Sequence, residues 1–499
     1  MESFWNKNKE DYQHFEKVKD NINVSVCIIG GGITGLSCGY YLSPKMSVAI
    51  VERDEICSHT SGKTTGKITS QHGLFYNYLI NSEGEEFALK YLEANEKAIE
   101  NIKKIIDKEN IQCDFNKEDA YVFTQNQDDV GKIKIENDVI NNVLNKKSEF
   151  VDKIELPLNN IKGALKFTNQ AQFNPVKYAY GLCECIIKNG GKIYENSKAT
   201  NIEKENGKYV VYVNNNKILA DNVIIATRYP FISFPGYYFL KMYQSTSFAV
   251  VADVKEKLFS GMYISSETPT ISFRVINEKD KQLLLVVGYD YKTGTDELEN
   301  GYKELEKIIK QMYPQSQILY RWTAEDCISL DKIPYIGEFS SVMPHVYIAT
   351  GFNKWGITSS NIAANIITSK ILGEDNKYEE IFKVKRLEPI KNIQEVGNML
   401  KEVNESLILS NFTLPDETIN DVKNGCGKIV EFNNHKIGVY KDNNGNVYQV
   451  KPKCTHLGCE LYFNNIEKVW ECPCHGSKFS YDGKVLETPA NKELQRYKL

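Results

Sequence analysis

The sequence predicts an α/β fold organised on a parallel sheet, with an α+β region interleaved in it and a small all-β unit at the C-terminal end. Three observations predict this. Residues 24–52 read as strand, glycine-rich turn, helix and strand. Far along the chain two more buried apolar runs appear, DNVIIAT (221–227) and VYIAT (346–350), with mixed helical and strand-like sequence between them. After about residue 410 the pattern changes to short strands and turns, and four cysteines and two histidines cluster there.

The elements follow in order. VSVCII (24–29) is a short β-branched run, hence a buried strand. GGGITG (30–35) turns it into a helix reaching about Leu42, and VAIVE ends a second strand at Glu52, the βαβ start of a Rossmann-like domain. Phe87, Tyr91, Ala94, Ala98, Ile102 and Ile105 recur at helical spacing and predict an amphipathic helix over 83–108. Residues 114–170 are weakly patterned. A helix near 175–188 stops at Asn189-Gly190-Gly191. Strands follow over 192–213 and 221–227, a sheet over 245–290, and a helix over 297–312. GFNKWG (351–356) turns the strand at 346–350 into a helix over 357–372. Lys385–Glu405 is charged and partly helical, a connector.

Composition bounds the function. At roughly 150 residues per domain, 499 residues suggest about three units. Apolar residues at 41% and charged residues at 25% are a globular balance. A net charge of −4 argues against a strongly basic nucleic-acid binder. No apolar run reaches the ~20 residues of a membrane span. The N-terminus is polar and lacks the apolar stretch of a signal peptide, which favours the cytoplasm. Eight of the twelve cysteines are scattered, as expected of buried thiols in a reducing compartment.

The other four are Cys454, Cys459, Cys472 and Cys474, with His456 and His475 among them. Cys454-Thr-His456-Leu-Gly-Cys459 and Cys472-Pro-Cys474-His475-Gly-Ser477 each present one Cys and one His. Such clustering reads as a metal site. A structural zinc site is the alternative, although zinc ligands usually come as a Cys pair and a His pair. The pattern resembles the Rieske [2Fe–2S] family over about 410–499. That resemblance implies Cys454 and Cys472 on one iron and His456 and His475 on the other. Two imidazoles in place of thiolates raise the potential to roughly −150 to +300 mV, against about −400 mV for all-Cys plant-type clusters. Cys459 and Cys474 match the subgroup related to respiratory and photosynthetic Rieske proteins, which implies a disulfide between the loops. Ser477 matches a serine that donates to a bridging sulfide. Phe479 stands where the subgroup has a tyrosine hydrogen-bonded to a ligand sulfur, which implies a lower potential. Thr488-Pro489-Ala490 resembles the proline loop over the cluster.

Gly30, Gly32 and Gly35 follow a strand and open a helix, and Glu52 closes the next strand 22 residues after Gly30. Glycines let the backbone approach a pyrophosphate, the helix N-terminus favours its charge, and the carboxylate takes ribose hydroxyls. This predicts a dinucleotide site. Ser58–Gly66, ADNVIIAT (220–227), Asp331–Gly337 and Ala349–Thr358 resemble, in that order, segments of the D-amino-acid oxidase and glycine oxidase family. The resemblance covers about 24–375 and implies FAD, with Ser61, Thr65, Gly351, Gly356, Ile357 and Thr358 at the cofactor. With the tail, the chain is similar to FAD-dependent oxidoreductases that carry a C-terminal Rieske domain.

The resemblance implies oxidation of a C–N bond in a small amine or amino-acid-like substrate, and electrons passed through the cluster to an unidentified acceptor, with the reverse direction also open. His456 and His475 are expected at an exposed edge where electrons leave. A substrate carboxylate is usually held by Arg and Tyr. Arg274 and Arg321 are the candidates, with Tyr243 and Tyr289 behind them, each with a structural ion pair as the alternative reading. His72 is a candidate near the flavin. Cys327 invites a covalent-flavin reading that its spacing does not match.

The expected domains are an N-terminal extension (1–23), an oxidoreductase unit (24–375), a connector (376–409) and a Rieske unit (410–499). The FAD-binding parts are about 24–82, 171–230 and 323–375, and the substrate domain about 83–170 and 231–322. One rival is a Rieske oxygenase, but the five remaining histidines show no close pair for a mononuclear iron. Another is a redox sensor or electron-transfer module without turnover of its own.

Overall fold

The computed structural model describes residues 2–7, 9–278, 281–295, 300–386 and 414–497. Four sheets carry the chain. The first runs Tyr335–Ser340, Met343–Thr350, Asn216–Ile225, Ile22–Ile29, Val48–Val51, Lys192–Tyr194. Its central pairings are parallel: Ile29 aligns with Ile225 and with Val51, and Ile225 aligns with Ile348. Such strands are covered on both faces, which explains their unbroken apolar runs. Helices Ile33–Leu42, Pro175–Lys188 and Gly356–Leu372 pack on one face. The hairpin Ala199–Glu205/Lys208–Val213 covers the other through Tyr209 and Val211. Asn174 caps the second helix by accepting from Val176 and Lys177 N–H, with Pro175 at its first position.

The second sheet has nine strands in the order Gln317–Ser329, Met242–Asp253, Lys281–Lys292, Ile271–Glu278, Met262–Ser265, Asn116–Thr124, Gly163–Gln172, Lys67–Ile68, with Glu149–Val151 on the side. The weakly patterned stretch 114–170 thus supplies three strands of this sheet and the helix Val130–Asn142. Its strands were hard to read because Asn116–Thr124 is half polar: Asn116, Glu118 and Asp119 all lie in it. The helix expected over 83–108 is Glu85–Glu109, preceded by Tyr76–Glu83.

The N-terminal residues pack into this body. Phe4 and Trp5 are buried, and Trp5 Nε1 donates to Thr64 O at 2.7 Å. Much of the expected connector, residues 387–409, and the first residues of the tail, 410–413, lie outside the described residues. Just before them Arg386 clamps Asp331 at 2.7 Å.

The C-terminal unit is two small antiparallel sheets, Cys426–Phe432/His435–Lys441/Val447–Val450 and Tyr462–Asn464/Val469–Glu471/Lys478–Ser480/Val485–Glu487. Trp470 and Phe479, both fully buried, pack beside the clustered cysteines. Among the described residues no helix is long and apolar enough to cross a membrane.

Candidate functional site: two cofactor cradles in contact

The glycine turn is tight because its neighbours leave no room for side chains. Gly30 has φ +115°, and a Cβ there would meet Ala226 O at 2.4 Å; one on Gly35 would meet Gly30 O at 2.0 Å. Glu52 accepts from Gly31 N–H at 2.7 Å and Asp54 N–H at 3.0 Å, so its carboxylate is fixed beside the turn. Ser61 Oγ accepts from Ile33 N–H at 3.1 Å at the helix start. Two cavities meet here. One of about 130 Å³ is lined by Gly30, Gly32, Glu52 and Arg53. The other, about 510 Å³, runs from Gly32, Ser61 and Thr65 past Gly351, Gly356 and Ile357 to the nine-stranded sheet. Both share Gly32, Ser61 and Arg228. A nucleotide at the glycines and a flavin in the larger space fit this pair of cradles. Thr358 does not line either cavity; it is buried one residue along the helix.

The larger cavity has a polar, mixed-charge wall. Asp290 and Lys354 pair at 2.7 Å on it. Lys67 lines it too, donating to Tyr263 O at 2.8 Å and to Ser272 Oγ. Burial, helped by the nearby Arg274, pulls the Lys67 amine down to about 7. Cys327 is on the wall, buried.

The candidate catalytic residues fall elsewhere. Arg321 does not line the cavity: it is exposed and paired with Glu306. On its strand the cavity is lined by Ala324, Asp326 and Cys327, and Arg321 lies before that stretch. Arg274 is buried behind the wall, donating to Thr65 O and to Phe173 O at 3.3 Å, so it braces the Thr65–Gly66 turn rather than meeting a substrate. His72 sits one layer back, 2.8 Å from Tyr91 Oη and stacked 4.5 Å from Trp355, a residue that lines the cavity. Burial pushes its imidazole down to about 3, so it stays neutral. Neither Tyr243 nor Tyr289 lines the cavity, whereas Tyr121 does. Sequence reading missed Lys67, which stands one residue beyond the segment Ser58–Gly66 that it singled out.

In the tail two loops repeat one backbone pattern. Cys454 N–H donates to Cys459 O at 2.8 Å and Gly458 N–H to Cys454 O at 2.9 Å; Cys472 N–H donates to Ser477 O and Gly476 N–H to Cys472 O, both at 2.9 Å. A disulfide joins the loops through Cys459 and Cys474. Cys454 and Cys472 are free and buried, and the imidazoles of His456 and His475 lie 5.1 Å apart. Both Nδ1 atoms are buried without a partner. Buried polar atoms are rarely orphaned, so two unpartnered ring nitrogens in loops that also carry two free thiols fit the donor set of a metal cluster. Ala490 N–H donates to Ser477 Oγ at 3.0 Å, which seats the proline loop, Pro489 included, against the second cluster loop.

The histidine edge is not exposed, contrary to expectation. His475 is 2% exposed. Ser233 Oγ lies 2.8 Å from His456 Nε2, and Phe239 packs edge-on to both imidazoles at 6.0 and 5.6 Å. The reason is the docking of the tail on the nine-stranded sheet. Lys478, buried, bridges Glu325 at 3.1 Å and Glu471 at 3.2 Å. Gly294 N–H donates to Glu471 at 2.9 Å, and a Cβ on Gly294 would meet Pro473 N at 2.4 Å. Gln244 Nε2 donates to His475 O and Thr488 O, both at 2.7 Å. At the nucleotide side Glu487 pairs with Arg228 at 2.7 Å and His59 at 3.2 Å.

These two cradles define a flavoprotein with an attached iron–sulfur module. Residues 25–370 match the family model described as FAD dependent oxidoreductase (DAO), and residues 414–498 match the Rieske [2Fe-2S] domain. The chain belongs to the DAO family of FAD-dependent oxidoreductases and carries a Rieske domain that binds a [2Fe–2S] cluster. It is 34% identical, over 100% of its length and 98% of the relative, to the "Putative Rieske 2Fe-2S iron-sulfur protein YhfW" of Bacillus subtilis (strain 168). It is 23% identical to the gamma-glutamylputrescine oxidoreductase of Escherichia coli (strain K12), over 75% of this chain and 88% of that one. Among solved structures it resembles glycine oxidase from Geobacillus kaustophilus, with TM-score 0.63 and 15% identity over 73% of this chain and 99% of that one. That likeness is one of fold.

Proposed function

We propose that the protein oxidises a small amine or amino-acid-like substrate at FAD and hands the electrons through the Rieske cluster to an acceptor. FAD supplies a two-electron acceptor and the cluster a one-electron carrier. The observation that carries this reading is the strand pairing of Gln244 with Cys327: one side chain holds a cluster loop, the other lines the large cavity. Cys454, Cys472, His456 and His475 would hold the iron, and Gly30, Gly32, Glu52, Ser61 and Thr65 the dinucleotide. Lys67 is the group we assign to a substrate carboxylate, in place of Arg274 and Arg321. Asp290 and Asp326 on the same wall suit a substrate ammonium. A cytoplasmic setting agrees with the eight scattered cysteines remaining thiols.

The test is anaerobic mixing of holoprotein with a panel of amines and amino acids. Flavin bleaching followed by the reduced-cluster EPR signal, at a rate independent of protein concentration, is expected. His475→Ala should keep the bleaching and lose the EPR signal. A panel that bleaches no flavin would favour a sensor, and second-order cluster reduction would place the cluster's partner on another molecule.

A further inference from the structure

The smaller cavity is not built by the oxidoreductase body alone. Its floor is the glycine turn, Glu52 and Arg53, but Glu487, Thr488, Ala490 and Asn491 of the Rieske domain form part of its lining. Those residues belong to the strand end and proline loop whose other side covers the cluster: Thr488 O accepts from Gln244 and Ala490 N–H donates to Ser477. One short segment therefore touches both cradles.

It is held there by contacts on the cavity rim. Arg53 donates to Leu486 O at 3.1 Å and Lys198 to Asn491 O at 3.2 Å. Glu487 meets Arg228 and His59, and all four cationic residues line the cavity themselves. Arg228 also lines the larger cavity, and its Nη1 is buried without a protein partner. A donor left open where the two cavities join suits an anionic group between a nucleotide and a flavin, the pyrophosphate of FAD.

We propose that residues 486–491 of the Rieske domain are a wall of the FAD site, so that the site is complete only when that domain is docked. FAD then leaves through undocking, and bound FAD holds the domain down by the same coupling, since linkage between two binding events is reciprocal. The tail is thus a cofactor-retaining element as well as an electron carrier.

The test uses full-length holoprotein and two variants that weaken docking in different places. Glu487→Gln acts at the cavity. Glu467→Ala acts away from it: Glu467 lines neither cavity and binds Tyr302 at 2.9 Å and Thr323 at 3.1 Å. FAD release is followed by recovery of free-flavin fluorescence, with the cluster spectrum as a control for integrity. Both variants should release FAD at least about five-fold faster, the low end of ordinary coupling. In the parent, bound FAD should slow amide hydrogen exchange at 485–491. Release within about two-fold of the parent from a Glu467→Ala protein whose tail exchanges faster would overturn the proposal. So would exchange at 485–491 that is the same with and without FAD in the parent, a measurement that needs no variant.

Discussion

Gln244 and Cys327 face each other across the strands Met242–Asp253 and Gln317–Ser329. The carboxamide of Gln244 reaches two carbonyls of the Rieske domain, His475 O and Thr488 O, while Cys327 lines the larger cavity. One strand pair thus touches both sites, and Gln244 is one of the hydrogen-bonding links between them. A Cβ on Gly476 would meet Gln244 Cβ at 2.5 Å, so the approach depends on that glycine as well.

Gln244→Leu should leave both carbonyls unsatisfied in a buried setting. The expected cost is about 1–3 kcal/mol per orphaned group. The variant should unfold at lower temperature and, after anaerobic flavin reduction, reduce its cluster more slowly than the parent. Unchanged stability would show that water replaces the carboxamide.

Lys478 bridges Glu325 and Glu471, all three at most 5% exposed. Lys63 adds a more distant contact to Glu325 at 3.4 Å. Removing one partner of a buried pair leaves an uncompensated charge, typically 3–5 kcal/mol. Lys478→Met should therefore undock or unfold the tail, seen as rapid exchange in 462–487. Adding Glu325→Gln and Glu471→Gln should recover most of the loss, because the exposed fault is charge and not shape. No recovery would point to packing around the lysine stem.

The rim of the smaller cavity should respond to alkali. Burial disfavours charge on His59, but Glu487 and a hydrogen bond donated to Asp54 outweigh it and lift the imidazole from 6.5 to about 9, with Arg53 opposing. A folded-state value above the ordinary one means that His59 contributes stability fully below pH 6.5 and loses it as pH rises through about 9. Tail exchange at 485–491 should accelerate between about pH 8 and 10, and His59→Gln should flatten that rise. The same slope in the variant would assign the alkaline loss to another group.

Much of this was legible in the chain. Glycine spacing, the carboxylate 22 residues on and the paired Cys–His loops carry their chemistry locally, because each group's role is set by neighbours a few residues away. Helix Gly356–Leu372 was equally plain from its flanking strand and turn. The docking was not. Lys478 with Glu325, Gln244 with His475 and Glu487 with Arg228 are separated by 153, 231 and 259 residues, and no local pattern announces them. The exposed histidine edge was a wrong expectation for that reason: Ser233 and Phe239 cover it from another part of the chain. Residue type suggested a carboxylate partner for Arg321 and Arg274, but neither lines the cavity: Arg321 lies before the lining stretch of its strand, and Arg274 is spent on Thr65 O and Phe173 O.

Lys67 offers the sharpest test of the substrate class. Lys67 lines the cavity, and its amine is tied to Tyr263 O and Ser272 Oγ and sits at about 7 because burial and Arg274 both disfavour its charge. A substrate carboxylate would be held by the protonated form, so binding should weaken as pH rises past about 7. For a carboxylate-bearing amine, kcat/KM in the parent should fall on the alkaline side, chiefly through KM. Lys67→Met should lose about ten- to a hundred-fold in kcat/KM, the worth of one charge-assisted hydrogen bond of 1.5–3 kcal/mol, and its profile should lose that alkaline limb. An amine of similar size without a carboxylate should be nearly indifferent to the substitution. If Lys67→Met slows both substrates equally, or if kcat falls with KM unchanged, the lysine serves the cavity's structure or the flavin, and the carboxylate is held by another group on the wall.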